Sequence, residues 1–168
     1  MYKTSRLILR DFTVEDVDLL YPILSDAKTM SFWPRPFTKK ETAVWIERNI
    51  LSYMQNGFGR WAVILKSSGE LVGDVGIHNS EVDGRTEISL GYIIDKKHWN
   101  KGYATEASLK CLEHAFAALY IEKLYATMAF DNIPSITVAE KIGMKKEREY
   151  KNKRNRNILT YIYSINRD

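Results

Sequence analysis

A single cysteine, Cys111, excludes any disulfide within this chain of 168 residues, so the fold must rest on packing and hydrogen bonding. Three histidines and that one cysteine show no paired ligand spacing, which argues against a metal site. No apolar run approaches the roughly 20 residues needed to cross a bilayer, so no membrane span is expected. Met1 to Asp11 alternates charged and apolar residues and lacks the apolar centre of a signal peptide. Together these absences point to a reducing cytoplasm. What is present, 45% hydrophobic and 27% charged residues, is the composition of a globular chain long enough to bury its own core. A single domain over 1–168 is expected. The net charge of +4 is spread along the chain except for one concentration, Lys145 to Arg156.

Periodicity supplies the elements. Arg6 to Arg10 alternates as a strand, and Thr13 with Asp16 opens a helix through about Leu24. After the turn residues Trp33 to Pro36, Thr38 caps a second helix whose stripe is Ala43, Ile46, Ile50 and Met54, ending at Gly57. Trp61 to Leu65, Leu71 to His78 and Glu87 to Ile94 read as three antiparallel strands, broken by Ser68-Gly69 and Asp83-Gly84. From Ala104 the stripe Ala107, Cys111, Ala115 and Leu119 predicts a helix laid on the sheet. A strand at Leu124 to Phe130, a short helix at Ser135 to Lys141, and strands at Lys145 to Tyr150 and Leu159 to Ile165 complete the order β-α-α-β-β-β-α-β-α-β-β. That order predicts an α/β domain, a mixed sheet with helices on both faces.

Two segments carry chemistry. Ile93 to Ala107 passes from an apolar strand through a basic loop into a helix. The free N–H groups at a helix start, the positive end of its dipole and the missing side chain at Gly102 together suit a phosphate, with Lys101 adding charge. An ordinary turn with solvated lysines has the same local pattern. Phe130 to Ser135 supplies a second polar strand end, where Asn132 and Ser135 either cap the next helix, line a crevice between diverging parallel strands, or do both.

The run Trp99 to Ala104 resembles the pyrophosphate loop of GNAT N-acetyltransferases, written Gln or Arg, two residues, Gly, one residue, then Gly or Ala. Gly102 and Ala104 match. Trp99 departs from the first position, yet Trp followed by Gly-Tyr-Ala-Thr-Glu-Ala is similar to the RimJ/RimL-type branch. Asn132, Ser135, Lys141, Gly143 and Met144 match that branch downstream, and Thr4 to Arg10 resembles its first strand. The likeness covers essentially the whole chain. It implies the GNAT fold, a mixed and mostly antiparallel sheet of about six or seven strands flanked by about four helices. It also implies acetyl-CoA as co-substrate, without a metal, and an amine acceptor such as a small molecule or the N-terminus of a ribosomal protein or peptide.

The resemblance further assigns roles. Trp99, Asn100, Lys101, Gly102, Tyr103, Ala104 and Thr105 would hold the pyrophosphate. The strand ending at Ile94 would splay open at a bulge, with backbone groups of Tyr92, Ile93 and Ile94 pairing with pantetheine and an N–H near Ile94 facing the acetyl oxygen. Asn132 and Ser135 would line the same crevice. Many family members place a Tyr four residues after that Ser to assist the leaving thiolate; here the position is Ala139, so Ser135 is the nearest hydroxyl. As base, Glu87 shares a strand face with Ser89 and could work through water, while His78 has a side chain that titrates near neutrality. Phe32, Trp33 and Arg35 are candidates for the acceptor pocket, and Trp33 is equally suited to anchoring its loop. Two other readings stay open: an acyl-CoA-binding scaffold without catalysis, and nucleic-acid binding through Lys151, Lys153, Arg154 and Arg156. The solvated hairpin expected there makes specific nucleic-acid binding the weaker of the two. A homodimer is compatible with the sequence, although no exposed apolar stripe argues for one.

Overall fold

Residues 1–167 are described by the computed structural model. In chain order the elements are β1 (Tyr2–Lys3), β2 (Leu7–Arg10), α1 (Val17–Leu24), α2 (Lys39–Asn56), β3 (Arg60–Leu65), β4 (Leu71–Val82), β5 (Arg85–Ile94), α3 (Tyr103–Ala117), β6 (Lys123–Ala129), α4 (Ile133–Lys141), β7 (Lys145–Asn152) and β8 (Ile158–Asn166). They form one eight-stranded sheet of order β1-β2-β3-β4-β5-β6-β8-β7. The additional strand relative to expectation is β1, two residues that pair with β2 through Tyr2↔Leu9 and Lys3↔Ile8. So short a strand has no periodicity to read.

Alternation along the central strands divides the core. Trp61, Val63, Val75, Ile77 and Leu90 pack with Ala107, Cys111 and Ala115 of α3 and Ala139 of α4. On the opposite face Ala62 and Ile93 pack with Leu20 and Ile23 of α1 and Ile46 of α2. The α3 stripe is therefore the one that the small residues predict. The α2 stripe holds only in part: Ile46 is buried and Ile50 packs against the core, but Met54 is 72% exposed and the polar Thr42 and Asn49 are buried. Hydrogen bonds account for the rotation: Asn49 Oδ1 accepts from the Arg60 N–H at 2.8 Å, and the Tyr53 hydroxyl donates to the Arg60 carbonyl. These polar links dock α2 onto the start of β3 through residues that a hydrophobic pattern passes over.

Sheet topology sets up the site. Strands β4 and β5 form a long hairpin closed by Asp83 and Gly84, both at positive φ, as a two-residue turn requires. Their ladder runs from Val82↔Arg85 to Gly73↔Ile94 without a register shift. The bulge expected in β5 is thus not seen in this pairing. The opening lies on the other edge, where β5 meets β6 in parallel at one registered pair, Ser89↔Tyr125. From there β6 stays with β8, to which it is registered from Lys123↔Asn166 through Ala129↔Thr160, and the two parallel strands part.

One buried ion pair ties the layers together. Arg60 and Asp74 are 3% and 0% exposed and join β3 to β4; Trp45 of α2 donates its indole N–H to the second Asp74 oxygen at 2.7 Å. Removing one partner of such a pair strands a charge in a medium that cannot solvate it. Asp74→Ala is expected to lower unfolding free energy by about 3–5 kcal/mol. Urea denaturation followed by far-ultraviolet circular dichroism checks this, and a loss below about 1 kcal/mol would contradict the role given to the pair.

Candidate active site

Where β5 leaves β6, its edge has no strand to bond to. Asp95 N–H donates to the Val72 carbonyl of β4 at 2.8 Å, so backbone groups of alternate residues point the other way. The Ile94 carbonyl does so and accepts the Trp99 indole N–H at 2.7 Å. By the same alternation the Ile94 N–H and both backbone groups of Tyr92 face the gap. Trp99, at the position where the loop pattern has Gln or Arg, therefore fastens the loop to the end of β5.

The loop itself turns through two left-handed residues, Asn100 at φ 61° and Gly102 at φ 78°. Gly102 is the N-cap of α3 and contributes no side chain, so the first-turn N–H groups of the helix stay uncovered. The opening strand holds this loop in place. Arg6 donates its Nε to Glu106 at 2.7 Å and its Nη1 to the Lys101 carbonyl at 2.8 Å, and it stacks over the Tyr103 ring. Although burial opposes it, hydrogen bonds from Thr4 and Arg6 hold the Glu106 carboxyl below its usual range. Its charge is thereby matched inside the first turn, leaving the helix end available to an anion.

Two cavities of about 340 and 360 Å3 flank the gap, and Phe32, Trp33, Tyr92, Asn132 and Ser135 line both. The larger one runs along Ile93, Ile94, Trp99, Asn100, Gly102, Tyr103, Ala104 and Thr105 and, among the described residues, has no acidic residue in its wall. Its shape and donors fit an extended anionic ligand. Lys101 is not in that wall: its ammonium lies 3.4 Å from His98 Nδ1, and it contributes its carbonyl to the loop. Asn132 both caps α4, accepting the Ser135 N–H at 3.2 Å, and lines the gap. The Tyr92 hydroxyl donates to the Ser135 carbonyl at 2.7 Å, bracing α4 against β5. Among the described residues the Ser135 hydroxyl has no protein partner. Ala139 faces inward from α4 and is fully buried, while its neighbour Val138 lines the larger cavity.

The smaller cavity lies on the other side of the gap. Its floor holds Arg60, His78 and Gly91, and its far wall comes from Asn152, Arg154, Asn155 and Thr160 of the β7–β8 hairpin. The hairpin is fixed by Arg154 to Glu81, by Arg148 to Asp83 at 2.5 Å, and by Asn155 Nδ2 donating to the Phe32 carbonyl at 2.8 Å. Cations in the basic segment are thus partly committed to the β4–β5 hairpin. Trp33 anchors its loop, stacking edge-on with Phe37 and Trp45 at 5.6 and 5.7 Å, and it also lines both cavities. Arg35 does not reach them. It pairs with Glu41 at 2.5 Å beside the α2 cap. Glu87 likewise stands outside the wall, two residues beyond Ser89, whose hydroxyl meets that of Ser80 at 2.6 Å. The hairpin residues and Arg60 escape sequence reading because they come from elements far apart in the chain, and no local motif joins them.

These features define an acyl-CoA-dependent acyltransferase, and the family follows from comparison: the chain belongs to the GNAT acetyltransferases. The family model described as acetyltransferase (GNAT) domain matches residues 6–145. The uncharacterized N-acetyltransferase p20 of Bacillus licheniformis is 31% identical over 168 residues, covering 96% of this chain and 93% of its own. The crystal structure of a GNAT-family acetyltransferase from Bacillus anthracis superposes with a TM-score of 0.83 at 30% identity, covering 98% and 96% of the two chains. Ribosomal-protein-S5-alanine acetyltransferase from Vibrio fischeri shares the fold, with a TM-score of 0.83 at 18% identity over 99% and 96%. Acyl transfer from acetyl-CoA is accordingly the reaction class.

Burial and the neighbouring Arg60 push the His78 imidazole down to about 3, so it is neutral in the folded protein at pH 7. The unfolded chain protonates it near 6.5, and between these values the unfolded state holds the extra proton. Stability contributed at this site is therefore complete above pH 6.5 and is lost as pH falls toward 3. His78→Gln is expected to lose less stability than the parent between pH 7 and pH 5 in urea titrations. Parallel losses in the two proteins would show that His78 is not held neutral.

Proposed function

We propose that this chain transfers the acetyl group of acetyl-CoA directly to a primary amine, an α-amine of a protein or peptide or a small-molecule amine, with both substrates bound at once. The observation that carries this reading is the junction of the two cavities at the parted strands. One cavity offers an anion-binding helix end and unpaired strand backbone to the CoA side, and the other offers a separate approach for the acceptor. Acetyl-CoA supplies an activated thioester. The residues of this chain supply position and polarity around it.

In this reading the N-terminal turn of α3, from Gly102 to Thr105, receives the pyrophosphate. Tyr92 backbone groups pair with the pantetheine arm, and the Ile94 N–H lies on the edge where charge develops on the thioester oxygen. A donor already fixed by the β4–β5 ladder needs little reorganisation, and such donors contribute on the order of 3 kcal/mol of barrier reduction. The free Ser135 hydroxyl, at the wall common to both cavities, is the donor to the departing sulfur, taking the part that a Tyr at position 139 would have. Tyr92 keeps Ser135 in place. The acceptor enters over Phe32 and Trp33. A ribosomal-protein or peptide N-terminus is the acceptor suggested by the shared fold with ribosomal-protein acetyltransferases and by the Trp99 to Ala107 pattern.

For the proton, His78 replaces Glu87 as the first candidate, because it stands in the acceptor cavity and Glu87 does not. Its depressed basicity suits accepting a hydrogen bond from a neutral amine and orienting it, more than stripping an ammonium. The amine then loses its first proton to solvent before binding. Ser135→Ala is expected to lower kcat about tenfold or more with little change in acetyl-CoA affinity.

Isothermal titration of acetyl-CoA into the wild type and a folded Gly102→Trp variant tests the donor site. Micromolar binding that the variant loses supports it; equal binding by both would remove the pyrophosphate from this loop. The pH profile tests the proton assignment. The reactive form is the neutral amine, so kcat/KM is expected to rise with pH until the acceptor's own pKa, about 8 for an α-amine. A rise midpoint that stays constant when amines of different basicity are compared would instead identify a titrating base on the enzyme.

A further inference from the structure

We propose that the acceptor amine carries an anionic oxygen group, a carboxylate in the simplest case, and that Arg60 Nη1 receives it. The inference rests on the smaller cavity being the acceptor site. Arg60 is only 3% exposed, yet it forms part of the cavity floor. Asp74 takes its Nε and Nη2, Trp45 holds the other Asp74 oxygen, and Asn49 and Tyr53 bond its backbone. The guanidinium is therefore fixed in direction. Among the described residues Nη1 donates to no acceptor. Gly91 gives it room, since a Cβ there would lie 1.9 Å from Nη1.

The rest of the wall agrees in sign. Among the described residues no Asp or Glu lines this cavity, while Arg154 and the amides of Asn152 and Asn155 stand opposite Arg60. An acceptor with a second ammonium group would lose hydration there without gaining a counter-charge. A carboxylate would gain a charge-assisted hydrogen bond from a donor whose orientation is already determined. Arg60 thus acts in two directions, holding Asp74 within the core and presenting its remaining edge to the acceptor. Arg154, tied to Glu81 at the rim, adds a second donor within the same enclosure.

The carboxylate can belong to a free amino acid or to an acidic residue at a peptide N-terminus, and matched acceptors separate the two. The full-length enzyme is assayed for release of free CoA thiol with acetyl-CoA and one acceptor at a time. The acceptors are α-amino acids against their carboxamides, Asp-initiated tripeptides against their Asn-initiated counterparts (all C-terminally amidated), spermidine, and an uncharged alkylamine. At least a tenfold higher kcat/KM for the carboxylate member of one pair is expected, and the pair in which it occurs identifies the source. Arg60→Lys, which keeps the charge beside Asp74 with a different reach, is expected to raise KM for that acceptor at least tenfold more than KM for its carboxamide partner. Equal use of carboxylate and carboxamide in both pairs, or preference for spermidine or the alkylamine, overturns the inference and leaves acetyl transfer standing. No acceptor-dependent thiol release with any amine overturns the acetyl-transfer reading and this inference with it.

Discussion

Everything at the candidate active site depends on β5 and β6 being parallel neighbours that stay paired for only one registered position. A strand edge inside a folded protein must find hydrogen-bond partners, and this one finds none in the sheet beyond Ser89. The chain meets part of the demand itself, as the Trp99 indole bonds the Ile94 carbonyl. What is left, the backbone of Tyr92 and the N–H of Ile94, is a polar edge set between apolar walls. Such an edge is well matched to a ligand with amide groups along its length. The loop before α3 and the start of α4 lie at the two sides of the same opening, as expected of open sheets at the carboxyl ends of parallel strands.

The smaller cavity obeys a different constraint. Its floor is part of the core, because Arg60 holds α2, β3 and β4 together through Asp74, Trp45, Asn49 and Tyr53. Its roof is loop and hairpin: Asn155 of β7–β8 donates to the Phe32 carbonyl, and Trp33 beside it is braced by Phe37 and Trp45. A rigid floor below and irregular segments above is an arrangement in which the geometry of the floor stays constant while the roof can vary with its loops. The same rigidity makes Arg60 costly to alter, since one side chain both joins these elements and forms the cavity floor.

The larger cavity was legible from residues close together in the chain. Gly102 before a helix, the basic loop, and Asn132 with Ser135 at the next strand end are local signals, each with a local physical cause. The smaller cavity was not. Arg60, Asn152, Arg154 and Asn155 lie far from one another in sequence and acquire meaning only as one wall. Arg35 illustrates the opposite error: beside Phe32 and Trp33 in sequence, it turns away to pair with Glu41. Glu87 and His78 share a strand face with Ser89 and Ser80, but only the register of the hairpin shows which of the two acids and bases lines the cavity.

Hydrophobic periodicity and turn residues determined the order and kind of nearly every element, because burying an apolar face imposes a period of two or 3.6 residues on the sequence itself. They also determined the turn before α3, whose geometry depends on Gly102 and its immediate neighbours. Tertiary structure alone decided the rotation of α2, the place where β5 and β6 part, and the membership of the smaller cavity. Each of those depends on polar contacts between distant segments, and a hydrogen bond or ion pair across space leaves no period in the chain that forms it.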